Sequence, residues 1–140
     1  MKRTVIRLAA VLVAACLALP AAGAEAPEKA AKPGAEQWLA LVDADNYAES
    51  WKQAASIFKE QLTVEQWESA VKSVHSQTGK LVSRKFRTAE FTDSLRDAPP
   101  GDYVILKYDT VFENLKTATE IVVPTKEKDG SWRVSGYFVK

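Results

Sequence analysis

The chain has 140 residues, a formal net charge of +1, one cysteine and one histidine. These counts exclude a disulfide within the chain and a zinc site built from several cysteines and histidines. Residues 1–24 hold three of the nineteen basic residues and no acidic one, so the remaining 116 residues carry a charge of −2. That charge gives no electrostatic reason to expect nucleic acid as a partner.

The first segment predicts export. It begins with basic residues, at Lys2, Arg3 and Arg7. An apolar run follows, ends at Pro20, and leads into small residues that a signal peptidase accepts. This order is typical of a secretory signal peptide. We predict a signal peptide over residues 1–24, cleavage near Ala24 and a periplasmic or secreted mature chain.

The same segment contains an alternative address. Val13–Cys16 resembles a bacterial lipobox, in which Cys16 would be lipidated and would anchor the chain to a membrane. Simple cleavage is favoured, because the apolar run continues past Cys16 to a more conventional site. The run Leu8–Leu19 is shorter than the about 20 residues that a membrane span needs, so no transmembrane segment is expected in the mature chain.

Residues 25–34 read EAPEKAAKPG and contain no large apolar side chain. Polar segments rich in proline and alanine cannot form a core of their own and are typical of flexible linkers. We therefore predict a flexible tether over residues 25–34 and a single domain over residues 35–140.

The first half of that domain predicts three amphipathic helices. Apolar residues recur at intervals of three or four over residues 35–42 and again over residues 47–62. Thr63 and Gln66 match a capping box, in which each side chain bonds the other residue's amide, so a third helix begins there. Gly79 is placed to end it in a left-handed conformation.

The second half predicts strands. Four segments alternate apolar and polar residues, over residues 81–91, 103–112, 117–125 and 132–139. Alternation with a period of two is typical of an antiparallel sheet with one covered face. Because the helices are amphipathic and need an apolar surface to cover, we predict an α+β domain in which they pack on a curved four-stranded antiparallel sheet.

Two charged residues lie where the pattern predicts burial. Arg84 alternates with Val82 and Phe86 on the apolar side of its strand, and Glu120 lies within another strand. A charge on a covered face is costly unless it is paired. We expect Arg84 and Glu120 to pair with each other if their strands are neighbours. The alternative is that Arg84 binds an anionic ligand.

The chain also has four tryptophans and four tyrosines. In a cone-like fold such rings could line a pocket for a flat or apolar ligand, which makes Trp51, Tyr108 and Tyr137 ligand-binding candidates beside Arg84 and Glu120. The alternative is that the rings fill the core. Their spacing favours the core, because it already places them on the apolar faces of helices and strands.

These motifs together resemble a known family. The residues that carry the resemblance are Trp38–Asp43, Tyr47, Ser50, Trp51, Phe58, Trp67, Ser83, Arg84, Gly101, Tyr103, Thr119, Glu120 and the closing string Trp132–Tyr137. They resemble the bacterial family known as domain of unknown function 4019, which implies no activity. The order of elements is more loosely similar to nuclear-transport-factor-2-like and cystatin-like folds. Those folds include enzymes, binding modules and dimerisation domains, so this likeness implies no function either.

The expected function is that of a non-catalytic binding or interaction module. The mature chain has no Gly-rich phosphate loop and no Gly-x-Ser-x-Gly nucleophile motif, and a calcium loop that began at Asp43 would have Ala48 where it needs a glycine. We therefore predict no catalytic residue, no metal site and no cofactor. The partner would be a small apolar or anionic ligand or a protein subunit, including a second copy in a homodimer.

Two alternatives remain open. One is a small proton-transfer enzyme of the isomerase type, in which Glu120 or Asp109 would be the base and Tyr108 or Tyr137 would hold the enolate oxygen. A filled interior would count against this enzyme and against a small ligand. The other is an envelope lipoprotein accessory factor, anchored through Cys16.

Overall fold

The computed structural model describes residues 23–140. Within that range the helices are α1 Pro27–Asp43, α2 Tyr47–Gln53, α3 Ser56–Gln61 and α4 Val64–Thr78, and the strands are β1 Leu81–Thr92, β2 Tyr103–Phe112, β3 Leu115–Lys126 and β4 Trp132–Val139. The predicted α+β class is confirmed, with the helices preceding the strands. Residues 1–22, which include Cys16 and nearly all of the predicted signal peptide, lie outside the described range. No helix in residues 23–140 combines the length and apolar character needed to cross a membrane.

The prediction of a flexible tether over residues 25–34 is wrong, because α1 begins at Pro27 and runs through most of that segment. Ala31 is completely buried. A Cβ added to Gly34 would lie 2.9 Å from the carbonyl oxygen of Trp132 in β4. The side chains are small here because the helix backbone packs closely against a strand, so the composition that suggests a linker instead reflects tight packing.

The single helix predicted over residues 47–62 is two short helices, α2 and α3. They are separated at Ala54 and Ala55, whose backbone is extended and whose side chains are completely buried. The amide of Ala55 donates to the carbonyl oxygen of Val134 in β4 at 2.8 Å. Since this amide bonds to the sheet, the helix is interrupted although the apolar periodicity continues.

The predicted start of α4 is confirmed. The Thr63 hydroxyl accepts from the Gln66 amide at 3.2 Å, and the Gln66 side-chain oxygen accepts from the Thr63 amide at 2.9 Å. Gly79 follows the helix with a φ of +71° and a ψ of −166°. The φ is positive as expected, but the extended ψ belongs to a region open essentially to glycine and not to a left-handed helical cap.

The four strands pair in chain order, and every pairing is antiparallel. Val104, Leu106 and Tyr108 of β2 point toward the helices and are buried in the core. We call the face they share the inner face of the sheet, and the opposite face the outer face. The strands β1 and β4 form the two edges.

Aromatic rings fill the space between the helices and the inner face. The ring centroids of Trp38 and Trp67 are 5.5 Å apart, and that of Phe58 is 5.1 Å from Trp67. The Trp38 indole N–H donates to the Ser50 carbonyl oxygen and the Trp67 indole N–H donates to the Ser50 hydroxyl, each at 2.9 Å. These rings are core residues with satisfied polar atoms, as their spacing indicates.

Candidate functional site

The inner face contains a completely buried carboxylate, that of Glu120 in β3. Its Oε1 accepts from the Thr110 hydroxyl at 2.7 Å and from Nε of Arg84 at 2.7 Å. Its Oε2 accepts from Nη2 of Arg84 at 3.0 Å and from the Tyr137 hydroxyl. The arginine compensates the charge and four donors satisfy the oxygens, which are the two conditions under which a carboxylate tolerates burial.

The predicted pairing of Arg84 with Glu120 is present, although β1 and β3 are not neighbours. Arg84 lies opposite Thr110 in β2, so its guanidinium spans that strand to reach β3. Its other N–H groups form a bidentate pair with Asp43 at the end of α1, at 2.7 and 2.9 Å. Arg84, which belongs to β1, therefore connects its own strand to β3 and to the end of α1.

Burial and hydrogen bonding act in opposite directions on Arg84. Burial tends to lower the pKa of its guanidinium, but the hydrogen bonds to Asp43 and Glu120 outweigh burial and raise the pKa above its ordinary value. The guanidinium is thus a fixed positive charge between two carboxylates.

Two tyrosines on the inner face bind carboxylates, Tyr137 within this network and Tyr108 outside it. The Tyr108 hydroxyl donates to Glu36 of α1 at 3.3 Å, and Glu36 forms an ion pair with Lys32 at 2.6 Å. Burial is the main reason that the pKa values of Tyr108 and Tyr137 lie well above the ordinary tyrosine value, and the carboxylates of Glu36 and Glu120 respectively raise them further. Both hydroxyls therefore stay protonated and act as donors at neutral pH.

The structure brings three of the five ligand-binding candidates, Arg84, Glu120 and Tyr137, into one hydrogen-bonded network, whereas Tyr108 binds Glu36 and Trp51 lies apart. Trp51 lies in α2, where its indole N–H donates to the carbonyl oxygen of Leu62 at 2.8 Å. Asp109, the other carboxylate considered as a base, lies on the outer face and binds Arg87 at 2.8 Å. Of the combinations considered for proton transfer, only Glu120 with Tyr137 is in hydrogen-bond contact.

A surface hollow of about 500 Å³ opens beside this network, at one end of the inner face. Its rim includes Asp43, Asp45 and His75, but neither Arg84 nor Glu120 lines it. The Tyr47 hydroxyl donates to Asp45 at 2.7 Å and lies 2.8 Å from Nδ1 of His75. Asp45 and His75 therefore share the Tyr47 hydroxyl, and Asp43 binds Arg84.

Strand β1 presents a different kind of surface. Four large apolar side chains in residues 23–140 are exposed, and three belong to β1: Val82 at 60 %, Phe86 at 41 % and Phe91 at 38 %. One side of β1 pairs with β2, and the other side is an edge of the sheet. We call the unpaired side of this strand, with these three side chains, the β1 edge.

The burial predicted for two of these residues is wrong. Phe86 does lie on the inner face, opposite Tyr108, but α1 packs chiefly against β3 and β4 and leaves the β1 end of that face partly open. Lys32, whose ammonium is 5.0 Å from the centroid of the Phe86 ring, gives partial cover. Val82 lies at a register shift between Leu81 and Ser83, where the alternation that predicts burial is interrupted.

The family described as "Protein of unknown function (DUF4019)" matches residues 34–137. The chain belongs to the DUF4019 family. A search of curated proteins finds no match. The matched span contains Asp43, Arg84, Glu120 and Tyr137 as well as all of β1, so the buried network and the β1 edge are both parts of this DUF4019 domain.

Three residues that bind the candidate side chains, Glu36, Asp43 and Thr110, were not predicted as site residues. Glu36 and Asp43 are seven residues apart in α1, which places them two turns apart on the same face of the helix. Thr110 has the same alternation as Val104 and Leu106, so it is a polar residue on an apolar stripe. That is the signal that identified Arg84, and it could have identified Thr110 as well.

Proposed function

We propose that this DUF4019 domain is an exported, non-catalytic interaction module that binds a protein partner through the β1 edge. The observation that carries the proposal is the concentration of exposed apolar side chains on an unpaired edge strand. Such an edge offers backbone donors and acceptors for strand addition, and its side chains offer apolar contact. Export is proposed from the order of basic, apolar and small residues before Glu25.

The buried network favours a protein partner over a small ligand inside the domain. No buried side-chain polar atom of residues 23–140 lacks a hydrogen-bond partner. An anion that approached Arg84 would have to displace Asp43 or Glu120, both of which already bind it through charged hydrogen bonds. A protein partner that binds the exposed edge of β1 displaces neither of these carboxylates.

A second candidate function, proton transfer, rests on the contact between Glu120 and Tyr137. A general base must reach a substrate proton with a free lone pair. Glu120 is completely buried, and its oxygens already accept from Arg84, Thr110 and Tyr137. This arrangement suits a structural cross-link better than a base, so we place the enzyme second.

Photo-crosslinking in the native compartment tests the proposal. A photoreactive residue is placed at Thr88, which is exposed in the middle of β1, and in a matched control at Lys72, which is exposed on α4. We expect a covalent protein adduct from position 88 and none from position 72. Equal adducts at both positions, or none at position 88, would overturn the proposal.

The intact mass of the same exported protein tests its processing. We expect a chain that begins at Glu25. A diacylated chain that begins at Cys16 would replace simple cleavage by the lipoprotein alternative. A chain that keeps its first residue would contradict export by a cleaved signal peptide.

A further inference from the structure

The residues of β1 divide between the two faces of the sheet in an order that a bulge interrupts. The inner-face residues, which pair with Val104, Leu106, Tyr108 and Thr110 of β2, are Arg84, Phe86, Ala89 and Phe91. The outer-face residues, which pair with the alternate positions of β2, are Ser83, Lys85, Thr88, Glu90 and Thr92. Arg87 is the extra residue at the register shift, and its side chain binds Asp109 on the outer face.

This order has a consequence for pairing between two copies. When a two-fold axis perpendicular to the sheet relates two antiparallel strands, the inner faces of both copies lie on the same side, and paired residues share a face. An axis between Arg87 and Thr88 meets that condition over the whole of residues 83–92. The pairs are then Arg84 with Phe91, Phe86 with Ala89, Lys85 with Glu90, Ser83 with Thr92, and Arg87 with Thr88.

Neighbouring axes fail the same condition. An axis through Arg87 pairs the inner residue Arg84 with the outer residue Glu90. An axis through Thr88 pairs the outer residue Lys85 with the inner residue Phe91. Moving the axis by one whole residue, in either direction, pairs an inner-face residue with an outer-face residue directly beside the axis. The bulge at Arg87 interrupts the alternation within one copy. Because both copies have the same bulge, an axis at that position pairs inner-face residues with inner-face residues and outer-face residues with outer-face residues.

The charges agree with this register. Lys85 and Glu90 are exposed, and neither forms an ion pair with another residue in 23–140. Pairing about the axis places Lys85 of each copy opposite Glu90 of the other, on the same face, so two ion pairs form. Arg87 lies opposite an uncharged threonine and keeps its own partner, Asp109.

The other edge of the sheet is less available for a strand. In β4, the carbonyl oxygen of Val134 already accepts from the Ala55 amide at 2.8 Å. A strand from a neighbour that paired with β4 over Val134 would compete with that bond. Pairing of β1 with itself breaks no bond of the described residues and closes after two copies.

We propose that the partner of the β1 edge is a second copy of this chain, which pairs through its own β1 about a two-fold axis between Arg87 and Thr88. The inference rests on the proposed interaction function and names its partner. The dimer has one continuous sheet made from the two four-stranded sheets. On its inner face each Phe86 lies beside Ala89 of the other copy, which covers part of the exposed Phe86 side chain.

A charge exchange tests this register. The mass of the purified exported chain is followed with concentration by sedimentation or light scattering. Lys85→Glu alone or Glu90→Lys alone sets like charges opposite each other twice, and we expect each to weaken the dimer about tenfold or more. The double variant Lys85→Glu/Glu90→Lys restores opposite charges and should dimerise as the original chain does. Lys116→Glu, at an exposed position outside β1, is the control and should have no effect.

Each outcome decides. A dimer that is weakened by the single changes and restored by the double change supports the proposal. The proposal is overturned if the chain is monomeric at all concentrations, or if the charge variants dimerise as strongly as the original chain. If position 88 nevertheless forms an adduct whose mass is not twice that of the chain, the interaction function stands with a different partner. If position 88 forms no adduct, both proposals fail together.

Discussion

Arg84 and Phe86 lie two residues apart on the same face of β1, yet their environments are opposite. The Arg84 side chain is 14 % exposed and its N–H groups bind Glu120 and Asp43, whereas Phe86 is 41 % exposed. The difference arises from α1, whose last residue, Asp43, reaches Arg84 but whose body packs over the far strands. In this domain the position of the covering helix decides burial, and the apolar alternation of a strand does not decide it alone.

The largest expected effect separates a buried ion pair from an exposed one. Arg84→Met leaves the completely buried Glu120 without its compensating charge, so we expect the free energy of unfolding to fall by about 3–5 kcal/mol. Arg87→Met removes the partner of Asp109 on the outer face, where both side chains are about half exposed. It should change the free energy of unfolding by less than about 1 kcal/mol. Urea unfolding followed by tryptophan fluorescence measures both.

A double variant shows whether charge is the cause. Arg84→Met combined with Glu120→Gln removes the uncompensated charge and keeps a hydrogen-bonding side chain, so it should lose less stability than Arg84→Met alone. If the two single arginine variants lose equal stability, or if the double variant is no better than Arg84→Met, the contrast between the buried network and the exposed ion pair on the outer face is wrong.

The next effect tests the part of α1 that the sequence pattern assigns to a tether. Ala31→Leu inserts a larger side chain at a completely buried position and should lower the free energy of unfolding by about 1–3 kcal/mol. Ala40→Leu, at an exposed position of the same helix, is the control and should change it by no more than about 0.5 kcal/mol. A chain that tolerates both substitutions equally would mean that residues 27–34 do not cover the sheet.

A smaller effect concerns the hydroxyl that completes the Glu120 site. Tyr137→Phe removes one of the four donors to the buried carboxylate, and we expect a loss of about 1–3 kcal/mol at neutral pH. Tyr108→Phe removes a longer hydrogen bond to a half-exposed glutamate and should cost less. Thermal unfolding at pH 7 compares the two variants, and a greater loss from Tyr108→Phe would contradict the central place of Glu120.

The same tyrosines predict an alkaline limit to stability. Burial raises the pKa of Tyr47 to about 12, with a further contribution from its hydrogen bond to Asp45, and burial likewise raises the pKa values of Tyr108 and Tyr137. A raised folded-state pKa gives stability that is complete below the unfolded value of about 10 and is lost as the pH rises through the folded value. Melting temperatures should fall above pH 10, and less steeply in Tyr137→Phe than in the original chain.

The sequence predicts the elements of this molecule better than their contacts. Period-two alternation places the strands within a few residues of their ends, and the apolar phase of β1 singles out Arg84 as a charge that needs a partner. The pairing with Glu120 is expected only between neighbouring strands, and it occurs instead across β2. The alternation does not identify Asp43, because that contact depends on the angle at which α1 crosses the sheet. Nor does it reveal the break at Ala54 and Ala55, since an amide that bonds to a strand leaves no trace in the spacing of apolar residues.

Composition is ambiguous for a related reason. Small residues are expected both where a chain is solvated and where two backbones pack closely, and the segment around Gly34 is of the second kind. The two cases differ only in what lies opposite the small residues. Here it is the carbonyl of Trp132, a residue far along the chain, so the composition of the segment alone does not reveal it. The β1 edge shows the opposite error. Its apolar residues have the pattern of a buried strand, but no element of the described chain covers them fully.

The smallest expected effect tests that edge directly. Val82→Ala should change the free energy of unfolding by no more than about 0.5 kcal/mol, because the side chain is mostly exposed. Val104→Ala, at a completely buried position of β2, should cost about 2 kcal/mol through lost burial and the cavity left behind. Both are measured by urea unfolding at a concentration at which the chain is monomeric, so that contacts between copies do not contribute. A substantial loss from Val82→Ala under that condition would mean that something within the chain itself covers the strand. In that case β1 would no longer be a free edge, and neither a protein partner nor a second copy could be inferred from it.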